Sequence, residues 1–501
     1  MARRPKAVEL PPLGRLDRSA GNLVRQLSVL LREAVQRGDL KAGELLPSSR
    51  LLAQALQLSR GTVTEAFSQL IAEGVLDTQP GGGTYIARTL PAPPPRARQK
   101  PSRTTAAPPA MTARAARFAD IARSMHPLPH VPFAVSVPVG LAAPDDVWRR
   151  LGNKVRARGP GAPASYSDPQ GAPELREAIA DYVRRARSVH CTAAQVIVTS
   201  GTQQGLFLAC QVLLDSGDAA WIEEPGYRGL TAILENIDAL GEIAQVPVDD
   251  EGLDVSAGIR AARHARVAFV TPSHQYPLGM PLSMARRNAL LAWAQQQAWI
   301  VEDDYDSELR YAGHPFPALQ GMAPERVIYL GTFSKILFPS LRLGYAIVPP
   351  GLEQAFVGAR ILMDRHPPTA DQHVLAAFMQ EGHLDRHIRR LRNLYAERRE
   401  QITGLLQRHI RPHLAWLQPS DQGAHVVLLL AEGIDDGEVV RMALARGVSV
   451  RPLSTMYAAG QARAGLVLGL ADFPYAQLEE AVKVLARVIR QCAQTSRPTP
   501  A

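Results

Sequence analysis

Apolar residues recur at helical spacing near the start of the chain. Leu23, Leu27, Leu30, Leu31 and Ala34 fall at i, i+4, i+7, i+8 and i+11, the stripe of one helix face. Ser48, after Pro47, is a good N-cap for a second short helix that turns Leu51, Leu52 and Leu56 inward. Ser59 caps a third, with Val63, Ala66, Phe67, Leu70 and Ile71 on its apolar face. Arg60, Thr62 and Thr64 lie on its outward face, and Gly74 stops it. The pattern then shortens: Val75-Leu76-Asp77-Thr78 and Thr84-Tyr85-Ile86-Ala87 predict two strands around Gly81-Gly82-Gly83, a hairpin. Three small helices and a hairpin over residues 19–88 make a winged helix-turn-helix.

Residues 89–130 break this pattern. Nine prolines, with Ala, Arg and Thr and no sustained apolar period, predict a linker stiffened locally by polyproline II. From 131 to 501, short β-branched runs alternate with longer helical patterns, the signature of an α/β layer fold. Tyr166-Ser-Asp-Pro-Gln-Gly171 leads into one such helix, with Leu175, Ile179, Tyr182 and Val183 on one face. Polar clusters stand where apolar strands end. Thr199-Ser200-Gly201-Thr202-Gln203 follows Val196-Ile197-Val198, and Glu302-Asp303-Asp304-Tyr305 follows Trp299-Ile300-Val301. Gly331-Thr332-Phe333-Ser334-Lys335 follows Val327-Ile328-Tyr329-Leu330; Glu223 to Tyr227 and Thr271 to Gly279 are placed likewise. Open α/β sheets bind ligands at the carboxyl ends of their strands, and bare N–H groups at a helix start suit phosphate.

Composition adds limits. With 501 residues, 46% of them hydrophobic, the chain has room for about three domains at roughly 150 residues each, which excludes disorder throughout. No run approaches the roughly 18 apolar residues of a membrane span, and the first residues carry no secretory apolar core, so a cytoplasmic protein that does not engage a membrane is expected. Cys191, Cys210 and Cys492 are too few and scattered for a disulfide framework or a Cys-based zinc site, and no metal is expected. The net charge of +9 divides unevenly: residues 1–130 carry +10 and the rest −1. A basic front on a neutral body suits a nucleic-acid-binding module attached to something else.

The stretch LPSSRLLAQALQLSRGTVTEAFSQLIAEGVL, followed by GGGTYIA, resembles the GntR family of bacterial regulators over essentially all of 19–88. The resemblance implies that the third helix enters the major groove of an operator in double-stranded DNA, that Arg50 and Arg60 contact it, and that the glycine wing, here Gly82, reaches the minor groove. Ser59, Thr62 and the N–H groups of the helix start suit phosphate, with Thr64 on the same outer face, and arginine can read guanine bidentately.

The polar clusters, in their order from about 131 to 490, resemble fold-type I pyridoxal 5′-phosphate (PLP) enzymes of the aminotransferase class I/II group. That resemblance makes Lys335 the Schiff-base lysine, Asp303 the partner of the pyridine nitrogen and Tyr305 the hydrogen-bond partner of the ring's phenolate oxygen. Tyr227 would lie on the ring face, with Gly201, Thr202, Gln203, Thr332 and Arg342 around the phosphate. Two departures stand out. Tyr276 occupies the place of an asparagine that touches the ring oxygen, leaving His274 or Gln275 as candidate substitutes. Val467, in Gly465-Leu466-Val467-Leu468-Gly469-Leu470, occupies the place of the arginine that clamps a substrate's α-carboxylate. Arg451 either supplies that charge from another angle or is a solvated strand-end residue.

A GntR-type reader, a linker and an aminotransferase-like domain together resemble the MocR subfamily of transcription factors. This implies a PLP-dependent regulator of PLP synthesis or of amine and amino-acid metabolism, acting as a head-to-tail homodimer. The missing carboxylate arginine favours PLP itself as effector, as in a PdxR-like branch, over an amino acid or amine. The alternatives are an active aminotransferase with a DNA-binding appendage, and a degenerate domain that serves only dimerisation.

Overall fold

A computed structural model describes residues 13, 16–79, 82–88, 110–125, 128–135, 137–138, 145–159, 163, 165–237, 240–311, 313–314, 316–458, 462–470 and 472–495. The chain forms two compact units, 1–110 and 111–501.

In the first unit, α1 (Leu23–Arg37), α2 (Ser49–Ala55) and α3 (Arg60–Ala72) precede a hairpin of β1 (Leu76–Gln79) and β2 (Gly83–Ile86). Leu27, Leu31, Leu52, Val63, Ala66, Phe67, Leu70, Leu76 and Ile86 close one core. The predicted caps form: Ser48 Oγ accepts from Leu51 N at 3.3 Å and Ser59 Oγ from Thr62 N at 3.0 Å. Gly74 ends α3 at φ +70°, a conformation cheap only for glycine. Two expected core residues point elsewhere. Leu51 is 58% exposed because Leu52 and Ala53 take the inner face of so short a helix, and Ile71 lies at the rim in the last turn of α3. The hairpin ladder starts one residue late, pairing Leu76 with Ile86, and Gly81 lies outside the described residues.

The second unit begins inside the expected linker. Residues 113–124 form a helix, α4 (Ala113–Ser124), capped by Thr112. Arg117 Nε donates to Asn236 Oδ1 at 3.1 Å, and Phe118, Ile121 and Met125 face a groove shared with Phe207, Ile233 and Ile237. Their spacing of three and four is an apolar period, but only three residues long within an Ala- and Arg-rich stretch. The remaining linker prediction, 89–109, lies outside the described residues.

Helices α5 (Asp145–Ala157) and α6 (Pro173–Arg187) lead to the central sheet. It is built from β3 (Val196–Thr199), β4 (Ala220–Glu224), β5 (Ile243–Asp249), β6 (Gly252–Leu253), β7 (Val267–Val270), β8 (Trp299–Asp304), β9 (Val327–Thr332) and β10 (Gly344–Ile347). Their order is β3-β10-β9-β8-β7-β4-β5-β6, with β4, β5, β7, β8 and β9 parallel. Connecting helices include α7 (Thr202–Leu213), α8 (Arg228–Leu234), α9 (Val255–Ala262) and α10 (Met284–Ala294). The central strands β7 and β9 are buried along their length, as parallel strands covered on both faces must be, while β5 toward the sheet edge alternates buried and exposed.

After α11 (Glu353–Asp364), α12 (Ala370–Gln380) and the 27-residue α13 (His383–His409), an antiparallel sheet is ordered β11 (Ala415–Leu417), β12 (His425–Leu430), β14 (Gly465–Gly469), β13 (Arg451–Pro452). Helices α14 (Asp436–Leu444) and α15 (Tyr475–Thr495) contribute Val439, Leu478, Val482 and Ile489 to the core behind it. No helix among the described residues is long and apolar enough to cross a membrane.

Candidate functional site

Carboxyl ends of the parallel strands converge on a cavity of about 260 Å3. Strand β8 brings Asp303 and, just beyond it, Tyr305; the segment after β9 brings Ser334 and Lys335; the start of α7 brings Thr202 and Gln203. Side chains alternate along a strand. Asp303 therefore faces the cavity while Asp304 turns away to a buried ion pair with Arg187 at 2.7 Å, and Glu302 accepts from Leu319 N and Gln320 N, each at 3.1 Å. Composition could not tell these three acids apart; the pleat does.

Asp303 is half-buried, and its Oδ1 is inaccessible with no hydrogen-bond partner among the described residues. Burial, reinforced by Asp304, Glu223 and Asp306, pushes its pKa up to about 8, against the pull of Lys335. Burial also holds the Lys335 ammonium below the ordinary lysine range; Asp306 and Asp303 oppose this, and Arg451 adds to it. A carboxylate with one inaccessible, unpartnered oxygen, near a lysine that loses its proton readily, is an arrangement that a cationic ring nitrogen and an electrophilic carbonyl would complete.

At the other end, Gly201 precedes α7 with φ +96°, and a Cβ there would meet the Arg342 guanidinium at 3.6 Å and Thr332 Oγ1 at 3.7 Å. Arg342, itself left-handed at φ +51°, donates to Ser200 O. The helix start, an arginine and the hydroxyls of Thr332 and Ser334 thus bring together donors that suit an anion, and Ser334 Oγ has no partner among the described residues. Tyr227 donates to Gln203 Oε1 at 2.8 Å, so Gln203 fixes the tyrosine that walls the cavity.

Of the residues expected to hold the cofactor, Gly201, Thr202, Gln203, Tyr227, Asp303, Tyr305, Thr332, Lys335 and Arg342 line this cavity. His274 does not. Only 3% exposed, it lies behind Tyr305, and its Nδ1 is shared between Asp306 and the Tyr305 hydroxyl. Gln275 braces its own turn, donating to Pro225 O and Tyr276 O at 2.8 and 2.7 Å. Neither replaces the missing asparagine, because the turn points both inward and leaves Tyr276 on the wall. Sequence reasoning missed Val135, Pro339, Ala424 and His425, and gave Thr271 only as part of a strand-end cluster. Tyr276 carried a signal, standing in the asparagine's place; His425 carried none, since the antiparallel sheet brings it in from afar. Its Nε2 donates to Pro277 O at 2.8 Å, and burial lowers its pKa to about 4, so the ring is neutral.

In the first unit, Arg50 and Arg60 are exposed, and their guanidinium groups make no hydrogen bond or ion pair among the described residues. Ser59 and Thr64 are exposed and Thr62 is half-buried, and their hydroxyls are engaged locally: Ser59 Oγ with Thr62 Oγ1 at 2.8 Å, and Thr64 Oγ1 donating to Arg60 O at 2.9 Å. Gly82 sits in the hairpin turn, where Tyr85 donates to its carbonyl at 2.7 Å. The arginines are thus the uncommitted donors of this surface, while the hydroxyls set the helix start.

Residues 136–485 match the family model of aminotransferase class I and II, and residues 23–86 that of the gntR family of bacterial regulatory proteins. The chain is 37% identical to the probable rhizopine catabolism regulatory protein MocR of Rhizobium meliloti over 94% of each chain. It is 36% identical to the HTH-type pyridoxine biosynthesis transcriptional regulator PdxR of Corynebacterium glutamicum, over 89% of this chain and 91% of that one. A solved structure of LysN, the α-aminoadipate aminotransferase of Thermus thermophilus complexed with N-(5′-phosphopyridoxyl)-L-leucine, is similar with a TM-score of 0.65 and 26% identity, covering 72% of this chain and 94% of that one. The cofactor of the second unit is PLP, and the unpartnered Asp303 oxygen and the Gly201 cradle fit it. With a gntR-type winged helix and an aminotransferase class I and II fold in one polypeptide, the chain belongs to the MocR-type family of transcriptional regulators.

Proposed function

We propose that PLP is the effector as well as the cofactor: its occupancy of the second unit sets how the winged helix binds an operator. One observation carries this reading, the Asp303 carboxylate, with one inaccessible and unpartnered oxygen, in the same cavity as Lys335. When bound, PLP supplies an aldehyde that condenses with an amine, releasing water, together with a pyridine nitrogen and a phosphate. Lys335 would hold the aldehyde carbon, Asp303 the ring nitrogen, Tyr305 the ring oxygen and Tyr227 the ring face. Arg342, Thr332, Gly201, Thr202 and Gln203 would hold the phosphate. Burial favours the neutral Lys335 amine that such capture needs.

Binding to one arrangement of the protein more tightly than to another shifts DNA affinity by that difference. The working form is a head-to-tail homodimer in the cytoplasm, its two recognition helices reading repeated half-sites through Arg50 and Arg60, with Ser59, Thr62 and Thr64 at the helix start and Gly82 in the wing. Exposed Leu362, Ile361 and Tyr166 support a covered face on the second unit.

A second reading has its own support. Arg451 pairs in register with Val467, the position where transaminases carry their carboxylate arginine; it is half-buried and makes no ion pair among the described residues. An amine bearing a carboxylate would then be the effector, with PLP as the group it reacts with.

Absorbance tests both. Purified protein with PLP should hold a yellow band through dialysis, and Lys335→Ala should abolish it. Identical spectra for the two proteins would end the cofactor role of Lys335. A footprint on operator DNA should change with PLP for wild type and not for Lys335→Ala. An amino donor that bleaches the band with turnover would instead identify an active aminotransferase. A carboxylate-bearing amine that alters the footprint in wild type, but not in Arg451→Ala, would select the second reading.

A further inference from the structure

We infer that His274 and Asp306 are positioning residues for Tyr305: the Asp306 carboxylate keeps the proton of His274 on Nδ1, and that N–H turns the tyrosine's own hydroxyl proton toward the cavity. This rests on the proposed placement of Tyr305 against the PLP ring oxygen.

The argument is one of donors and acceptors. His274 Nδ1 lies 2.9 and 3.1 Å from the two oxygens of Asp306 and 3.0 Å from the Tyr305 hydroxyl. Asp306 also accepts from Ala424 N at 3.1 Å, and although burial works against its charge, His274 holds its carboxyl below the usual range. An ionised carboxylate only accepts, so the proton between the two sits on Nδ1. Nδ1 then has no lone pair for the tyrosine. Tyr305 Oη must accept from the same N–H, and its own O–H must look elsewhere. Asp306, Tyr276, Asp303 and Glu223 are the acidic groups whose charge acts on it, and Asp303 and Tyr276 share the cavity wall with it.

The opposite nitrogen agrees. His274 Nε2 is buried with no hydrogen-bond partner among the described residues, which an unprotonated nitrogen tolerates better than an N–H. The ring is also tightly seated. A Cβ at Gly423, where φ is +87°, would come within 1.9 Å of His274 Cε1, and one at Gly279 within 3.1 Å of Nε2. No side chain other than glycine leaves this imidazole in place at Gly423.

A hydroxyl donated to the ring oxygen competes for the electron pair that otherwise helps hold a proton on the lysine-bound nitrogen. Losing the donor therefore raises the pH at which the visible band changes colour. With PLP-loaded protein, Tyr305→Phe should raise that midpoint. His274→Leu should raise it in the same direction by about 0.5 pH units or more, roughly a threefold change in proton affinity. In the Tyr305→Phe background His274→Leu should add nothing, because its effect passes through the hydroxyl. His274→Asn, which keeps an N–H donor near the Nδ1 position, should restore most of the wild-type midpoint. An unchanged midpoint in His274→Leu, or an equal shift in both backgrounds, overturns the inference.

A second measurement needs no cofactor and so separates failure here from failure of the PLP reading. With nitrogen-15-labelled histidine, the apo-protein should show a strongly hydrogen-bonded imidazole N–H, lost in His274→Asn and displaced in Tyr305→Phe. Absence of that proton, or its indifference to Tyr305→Phe, rejects the inference whether or not PLP binds.

Discussion

Replacing Asp303 by asparagine should move stability and cofactor affinity in opposite directions. In the cofactor-free protein one oxygen of this half-buried carboxyl is inaccessible and unpartnered, and its pKa rises from an ordinary 3.8 to about 8. Keeping it ionised inside the fold therefore costs roughly 6 kcal/mol relative to the unfolded chain. The asparagine side chain has nearly the same volume and no charge, so the Asp303→Asn apo-protein should melt higher than wild type at pH 9, where the carboxyl is charged. The gain should shrink at pH 6, where the wild-type carboxyl is already neutral. With PLP the sign reverses. Removing one partner of a buried, hydrogen-bonded ion pair costs about 3–5 kcal/mol, a loss of affinity of two orders of magnitude or more. Titrating apo-protein with PLP by visible absorbance, beside thermal melts at pH 6 and 9, measures both effects. An Asp303→Asn variant that binds PLP as tightly as wild type, or that is no more stable without it at pH 9, would refute the role given to this carboxylate.

The remaining expectations are narrower. Arg60→Ala should weaken operator binding by about tenfold or more and binding to random DNA by less; equal losses in gel shifts would mean that Arg60 touches only phosphate. Gly171→Ala should destabilise the fold by a core-mutation amount, about 2–4 kcal/mol, seen as a lower melting temperature, because φ is +106° and the new Cβ would lie 2.3 Å from Val198 Cγ2. Asp303 near 8, with Glu223 and Glu302 near 7, keep in the folded state protons that the unfolded chain releases near 3.8 and 4.5. Their stabilising contribution is thus complete at low pH and lost as pH rises through 7–8; the apo melting temperature should fall between pH 6 and 9, and fall less with PLP bound.

Local chemistry was legible along the chain. The caps at Ser48 and Ser59, the stop at Gly74 and the run of strands ending in polar clusters depend on neighbours within one or two turns, and pattern reads such neighbours directly. The polar clusters at strand ends likewise implied one site, because parallel strands deliver their ends to one edge, and the resemblance to PLP enzymes picked out Gly201, Tyr227, Asp303, Tyr305, Lys335 and Arg342 within it. Tertiary structure alone decided what depends on which face a residue takes and on what arrives from far along the chain. The pleat sent Asp303 into the cavity and Asp304 to Arg187; the turn after β7 put His274 behind Tyr305 and Tyr276 on the wall. Strand pairing set Arg451 opposite Val467 and brought in His425, and a groove on α7 and α8 received α4 from what read as linker. The physical reason is common to all of these: burial and hydrogen-bond partnership are properties of three-dimensional neighbours, and spacing along the chain reports only the near ones.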